Sequence, residues 1–184
     1  MRSISFNPAM LAAVQAGHKT VTRRRLPPNS PLQQEPDRYR FVELSAQGAL
    51  FEDCHALPPA LLPSVPLPFG AAGTQLSVQE NLLIRLELRS VLAEQVRSLT
   101  TADALAEGIQ ARPLPGPPEW GGVEPIAGSS GAFRWYSSPI AAFQGLFESI
   151  YPMAWARNEW VWMIEFRVLP IAWVASVSAG PATA

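Results

Sequence analysis

Proline sets the strongest limit on what this chain can fold into. There are 19 prolines in 184 residues, about twice the usual share, and they are clustered. Nine fall in 27–68 and five in 113–125. Proline fixes φ and has no backbone donor, so such stretches cannot form continuous helix or central strand. Residues 26–38, 56–74 and 111–137 therefore read as surface loops. Residues 39–45, with Tyr39, Phe41, Val42 and Leu44, read as a short strand between the first two. The third loop also carries Gly116, Gly121, Gly122, Gly128 and Gly131.

Regular structure is confined to the segments between. Asn7 can cap a first helix over residues 9–16, Pro8 suits its first turn, and Gly17 supplies a left-handed stop. Met10, Leu11 and Val14 give it one apolar face. Residues 18–24 leave the helix extended, and 75–79 form a short strand. From Leu82 the alternation is regular: Leu82, Ile84, Leu86 and Leu88 face one way, Arg85, Glu87 and Arg89 the other. Thr100 with Asp103 begins a short helix in the manner of a capping box, ending at Gly108. Ser138-Pro139 opens a third helix, with Phe143, Leu146, Phe147 and Ile150 at helical spacing and Pro152 as its stop. Trp160, Trp162, Ile164, Phe166 and Val168 alternate along a last strand. Trp155, Trp160 and Trp162 read as core and rim. Helices interspersed with alternating strands predict one mainly antiparallel α+β domain closing towards a small barrel. It would span 1–169 with insertions at about 26–74 and 111–137; the tail 170–184 is given no function.

Composition removes several classes. The apolar share is 48% and the net charge −1, which excludes a disordered chain and any global basic field. A polyanion site must then be local. No run of 18 apolar residues and no signal-peptide core occur, so a cytoplasmic protein without membrane contact is expected. The single cysteine, Cys54, excludes an internal disulfide framework, and with His18 and His55 it lacks metal-ligand spacing, so no metal and no cofactor are expected. The cations are 13 arginines and one lysine, Lys19. Only an amine can lose its proton near neutral pH, so Lys19 is a candidate for chemistry that arginine cannot do.

Four blocks carry a resemblance. Ser5-Phe6-Asn7-Pro8 … Gly17-His18-Lys19-Thr20-Val21-Thr22-Arg23-Arg24 is similar to the opening of ASCH domains, which belong with the PUA-like barrels. Gly70 … Gly73 … Leu76-x-Val78-x-Glu80, Thr101-x-Asp103-Ala104-x-Ala106-Glu107-Gly108-Ile109, and Phe143-x-x-Leu146-Phe147 … Trp160-Val161-Trp162-x-Ile164-Glu165-Phe166 follow in the same order. The later blocks most resemble the longer ASCH proteins of phage and prophage genomes. The resemblance implies a PUA-like small mixed or antiparallel β-barrel with flanking short helices and long Pro/Gly-rich loops. It implies recognition of RNA or a modified nucleoside. In the acetylcytidine amidohydrolases of the family a lysine, a threonine and a glutamate act together, and these fall on Lys19, Thr22 and Glu107. Thr20, Arg23, Arg24 and Glu80 would contact substrate. A non-catalytic RNA-binding module is the alternative. The chain departs from the pattern at Thr74 and Gln79, where an acidic residue and an arginine are usual.

The chemistry can be weighed on the residues themselves. Amide hydrolysis needs a nucleophile, a base and charge stabilisation for the tetrahedral intermediate. Threonine becomes a nucleophile when a neighbouring base takes its proton, and a neutral lysine could be that base. Arg23, Arg24 and Arg25 would push the Lys19 pKa down and Glu107 would push it up, leaving the sign open. Arg23–Arg25 could equally be a solvated charge run or a phosphate-binding cluster. Positions 19 and 22 face opposite sides of an ideal strand, so they can share a pocket only if the chain bends or stays a loop there. Thr20 shares a face with Thr22 and is the rival nucleophile.

Overall fold

A computed structural model of the chain describes residues 2–45 and 47–170. The first half runs β1 (Arg2–Ile4), α1 (Pro8–Gln15), β2 (Val21–Arg25), α2 (Pro31–Gln34), β3 (Tyr39–Ser45), β4 (Gly48–Asp53), β5 (Ala60–Leu61) and β6 (Gln75–Val78). The second half runs β7 (Asn81–Gln95), α3 (Thr101–Ala106), β8 (Gln110–Arg112), β9 (Glu119–Pro125), β10 (Phe133–Tyr136), α4 (Pro139–Ile150) and β11 (Trp160–Val168). The molecule is mixed α+β and mostly sheet, as the alternation predicts. The expected tail beyond Pro170 lies outside the described residues.

The helix signals hold because each satisfies backbone groups that a helix end leaves unpaired. Asn7 Oδ1 accepts from Met10 N at 2.7 Å, and Gly17 adopts φ +75° after α1. Thr100 and Asp103 form a reciprocal capping box on α3. The Ser138 hydroxyl accepts from Ala141 N at 3.2 Å to start α4.

A five-stranded sheet in the order β1-β6-β7-β11-β2 forms the frame and curls into a half-barrel. Only the β1–β6 pair is parallel. β11 lies between β7 and β2 and is buried along most of its length, with Trp160, Val161, Trp162 and Ile164 all in the core. β7 is longer than the expected strand: its buried face continues through Val91 and Ala93. Leu82, read as the first member of that face, is 70% exposed, because β7 begins in the tight turn where Asn81 pairs with Val78.

Two three-stranded sheets are built from the proline-rich stretches. β3-β4-β5 contains the expected strand at 39–45. Residues 26–38 are partly helical rather than all loop, and Gln33 fastens them to the frame: its amide donates to Trp160 O at 2.8 Å and accepts from Trp160 N at 2.9 Å. The loop expected over 111–137 needs correction, since β8, β9 and β10 form an antiparallel sheet there. Pro113, Pro115, Pro117 and Pro118 sit between β8 and β9, and Pro125 is the last residue of β9. They mark strand ends instead of abolishing strands.

This sheet is locked onto α4. Tyr136 donates to the buried Glu124 carboxylate at 2.5 Å, and burial together with that contact pushes the phenol up to about 12. Gly145 leaves the room: a Cβ there would collide with the Tyr136 phenol and approach Glu124. Gly145→Ala is therefore expected to destabilise the fold by about 1–3 kcal/mol, the range for overpacking, despite alanine's better helix propensity. Denaturant melts check this; a stabilised variant would contradict the packing.

Candidate functional site

The turn out of α1 and the end of α3 meet, and this junction builds the site. With Gly17 in the left-handed region, His18 N and Lys19 N both donate to Ala13 O, at 2.9 and 3.1 Å. Lys19 then pairs with Glu107 in an isolated antiparallel bridge, and Thr20 N donates to Ala106 O at 2.8 Å. Gly108 permits this approach. It adopts φ +99°, and a Cβ there would lie 3.1 Å from the Ala13 Cβ and 3.3 Å from the Lys19 Cβ.

The consequence is a buried ion pair. Lys19 is 1% and Glu107 2% exposed. The Lys19 ammonium donates to Glu107 Oε2 at 2.6 Å, to Val21 O at 2.9 Å and to Glu107 O at 3.0 Å. Three donors meet three acceptors. Burial pushes the amine below its ordinary 10.5, opposed by Glu107 and assisted by Arg24 and Arg23. The other Glu107 oxygen faces Arg23 Nη1 at 3.4 Å. Arg23 is itself spread over Glu94 at 2.8 Å and Asp103 at 3.4 Å, so its charge is used within the protein.

Beside this pair lies a cavity of about 330 Å³, within the usual range for small-molecule sites. Its polar lining is Ser5, Asn7, Thr22, Arg23, Arg24 and Glu107. Phe6 and Met10 form one apolar wall, and Phe143, Leu146, Phe147 and Tyr151 from α4 and its end form the other. β1 and β2 are the two edge strands of the curled sheet. The residues after β1 come across to β2, where Arg24 Nη2 donates to Ser5 O. The cavity thus occupies the opening between the two edges. That position explains how Thr22 and Arg24, on one face of β2, and Arg23, on the other, line one space.

Thr22, Arg23, Arg24 and Glu107 line the cavity. Lys19 does not; it lies behind Glu107, held on the carboxylate that does. Thr20 is exposed and outside the lining, its backbone spent on Ala106 O and Phe166 N. Glu80 is also exposed and off the lining, but it accepts from the Ser5 hydroxyl and from Phe6 N at 3.2 Å. It therefore holds the Ser5–Phe6 edge, and the Ser5 hydrogen bond keeps its carboxyl below the usual range. Gln79 donates to Ser3 Oγ at 3.0 Å and stands away from the cavity, so the arginine missing at that position is not missing from this lining. Positions 19 and 22 do not share the cavity: Thr22 lines it, while Lys19, just before β2, folds back along its own chain to Val21 O and reaches the cavity only through Glu107.

The apolar wall was the part that sequence reasoning missed. Phe143, Leu146 and Phe147 have the spacing of any core-facing helix stripe, and most of their surface does pack inward. The one outward sign was the run on to Tyr151 beyond the helix end. Among the described residues no group of His, Cys, Asp and Glu could hold a metal ion, and no helix is long and apolar enough to cross a membrane. Comparison of the chain with protein-family models, curated proteins and solved structures finds no match.

Proposed function

We propose that the cavity binds a modified nucleoside in the manner of an ASCH domain and hydrolyses an acyl amide on a cytidine-like base. The observation carrying this reading is that the Glu107 carboxylate, held on the buried Lys19, faces the same aromatic-walled cavity as Thr22. Phe6, Phe143 and Phe147 give the lining apolar walls against which a base can pack. In the proposed reaction Thr22 Oγ adds to the acyl carbon, and its proton passes to the neutral Lys19 amine by way of Glu107. The carbon–nitrogen bond then breaks and the exocyclic amine leaves with that proton. Water hydrolyses the resulting threonine ester, regenerating the hydroxyl and releasing the acid.

Incubation of the protein with acetylcytidine, followed by measurement of acetate and cytidine, tests this. Lys19→Ala is expected to lower turnover by about 10²–10⁴-fold, the usual worth of a general base. Because the reactive amine is the neutral one, the wild-type rate should rise with pH through a midpoint below 10.5. Absence of turnover in the wild type sinks the reaction. One observation favours the second reading, binding of RNA without chemistry: all three donors of Lys19 are already engaged. That reading gains if RNA binds at micromolar concentration, weakens in Arg23→Ala or Arg24→Ala, and no acetate appears.

A further inference from the structure

Arg24 stands apart from the other cations at this site. Lys19 is spent on Glu107 and two carbonyls, and Arg23 on Glu94, Asp103 and Glu107. Among the described residues Arg24 forms no ion pair, and its only side-chain hydrogen bond is the one from Nη2 to Ser5 O. Its Nε is buried with no partner, although a donor removed from water without an acceptor costs about 1–3 kcal/mol. The guanidinium is half-buried, lies 5.7 Å from the centre of the Phe6 ring, and lines the cavity. Glu80, the nearby carboxylate, has its oxygens engaged by Ser5 and Phe6 instead.

Asn7, the cap of α1, also lines the cavity, but Met10 N is spent on its Oδ1 and Pro8 has no N–H, so the anion contact falls to Arg24. A guanidinium with no ion pair and unused donors, only partly offset by the nearby Glu80 charge, favours an anion with several acceptor oxygens. Resting on the nucleoside reading above, we infer that the ligand carries a phosphate, so that the cavity selects a nucleotide over the free nucleoside, with Arg24 as the phosphate contact. The aromatic walls take the base, and the β2 edge takes the charge.

Calorimetric titration of the intact protein with four cytidine ligands (cytidine, cytidine 5′-monophosphate, cytidine 3′-monophosphate and a cytidine dinucleotide) and, separately, with inorganic phosphate tests this. At low salt at least one phosphate-bearing ligand is expected to bind 10-fold or more tightly than cytidine. The monophosphates and the dinucleotide separate a terminal phosphate from a strand's diester. In Arg24→Gln that ratio should fall below about twofold, and Arg24→Lys, which keeps the charge but loses the fork, should retain part of it. Thermal melts of both variants establish that they are folded. Cytidine binding with no gain from phosphate overturns the inference and leaves the nucleoside reading in place. Equal ratios in the wild type and Arg24→Gln likewise remove Arg24 from the role. Inorganic phosphate binding as tightly as the nucleotides keeps the anion site but overturns the nucleoside reading. No binding by any of the four overturns both.

Discussion

Glu107→Ala is expected to be the most destabilising single change at the site. The carboxylate is almost fully buried and is shared between Lys19 Nζ at 2.6 Å and Arg23 Nη1 at 3.4 Å. Its removal leaves the Lys19 ammonium with two carbonyl acceptors and no counter-charge. Breaking a buried pair in this way costs about 3–5 kcal/mol, which for a domain of this size is a fall in melting temperature of roughly 10 °C. The pH dependence follows in sign. Losing Glu107 removes the main influence that raises the Lys19 pKa, so the folded amine becomes still harder to charge. The penalty is therefore largest near neutral pH, where both partners of the wild-type pair are charged, and fades as pH rises through the folded Lys19 pKa, which lies below the ordinary 10.5. Lys19→Met combined with Glu107→Leu removes both charges and should recover most of the loss. A Glu107→Ala protein as stable as the wild type would mean that this pair is not buried.

The second large effect concerns which hydroxyl reacts. Thr22 is 3% exposed and lines the cavity; Thr20 is exposed and lies off it. On acetylcytidine, Thr22→Ala is expected to lower kcat by about 10³-fold or more with little change in KM, because in the proposed reaction the lost group attacks the acyl carbon and takes no part in holding the base. Thr20→Ala should change kcat by less than about twofold. Equal losses in the two variants, or loss only in Thr20→Ala, would remove Thr22 from the nucleophile's place.

The parts of this molecule that were legible in its sequence are those set by local chemistry. Asn7, Gly17, Thr100, Asp103 and Ser138 each satisfy or release backbone groups within a turn of their own position, so their meaning does not depend on distant packing. The alternation of β11 was readable for the same reason. β8, β9 and β10 were not, because Pro113 to Pro118 and Gly121 to Gly131 read as punctuation when strands are short, and these strands form only by pairing with one another and packing on α1 and α4. Lys19 and Glu107 stand 88 positions apart, and only the resemblance coupled them. The apolar wall was hidden because a helix stripe that lines a cavity has the same period as one that fills a core.

Locating a bound ligand tests the central claim most directly. A crystal structure of the protein with a non-hydrolysable acetylcytidine analogue is expected to hold the base between Phe6 and the α4 aromatics. The acyl carbon should then lie within about 3.5 Å of Thr22 Oγ, the separation of a near-attack arrangement. An analogue bound elsewhere on the surface, with the Thr22–Glu107 cavity left to solvent, would contradict the account.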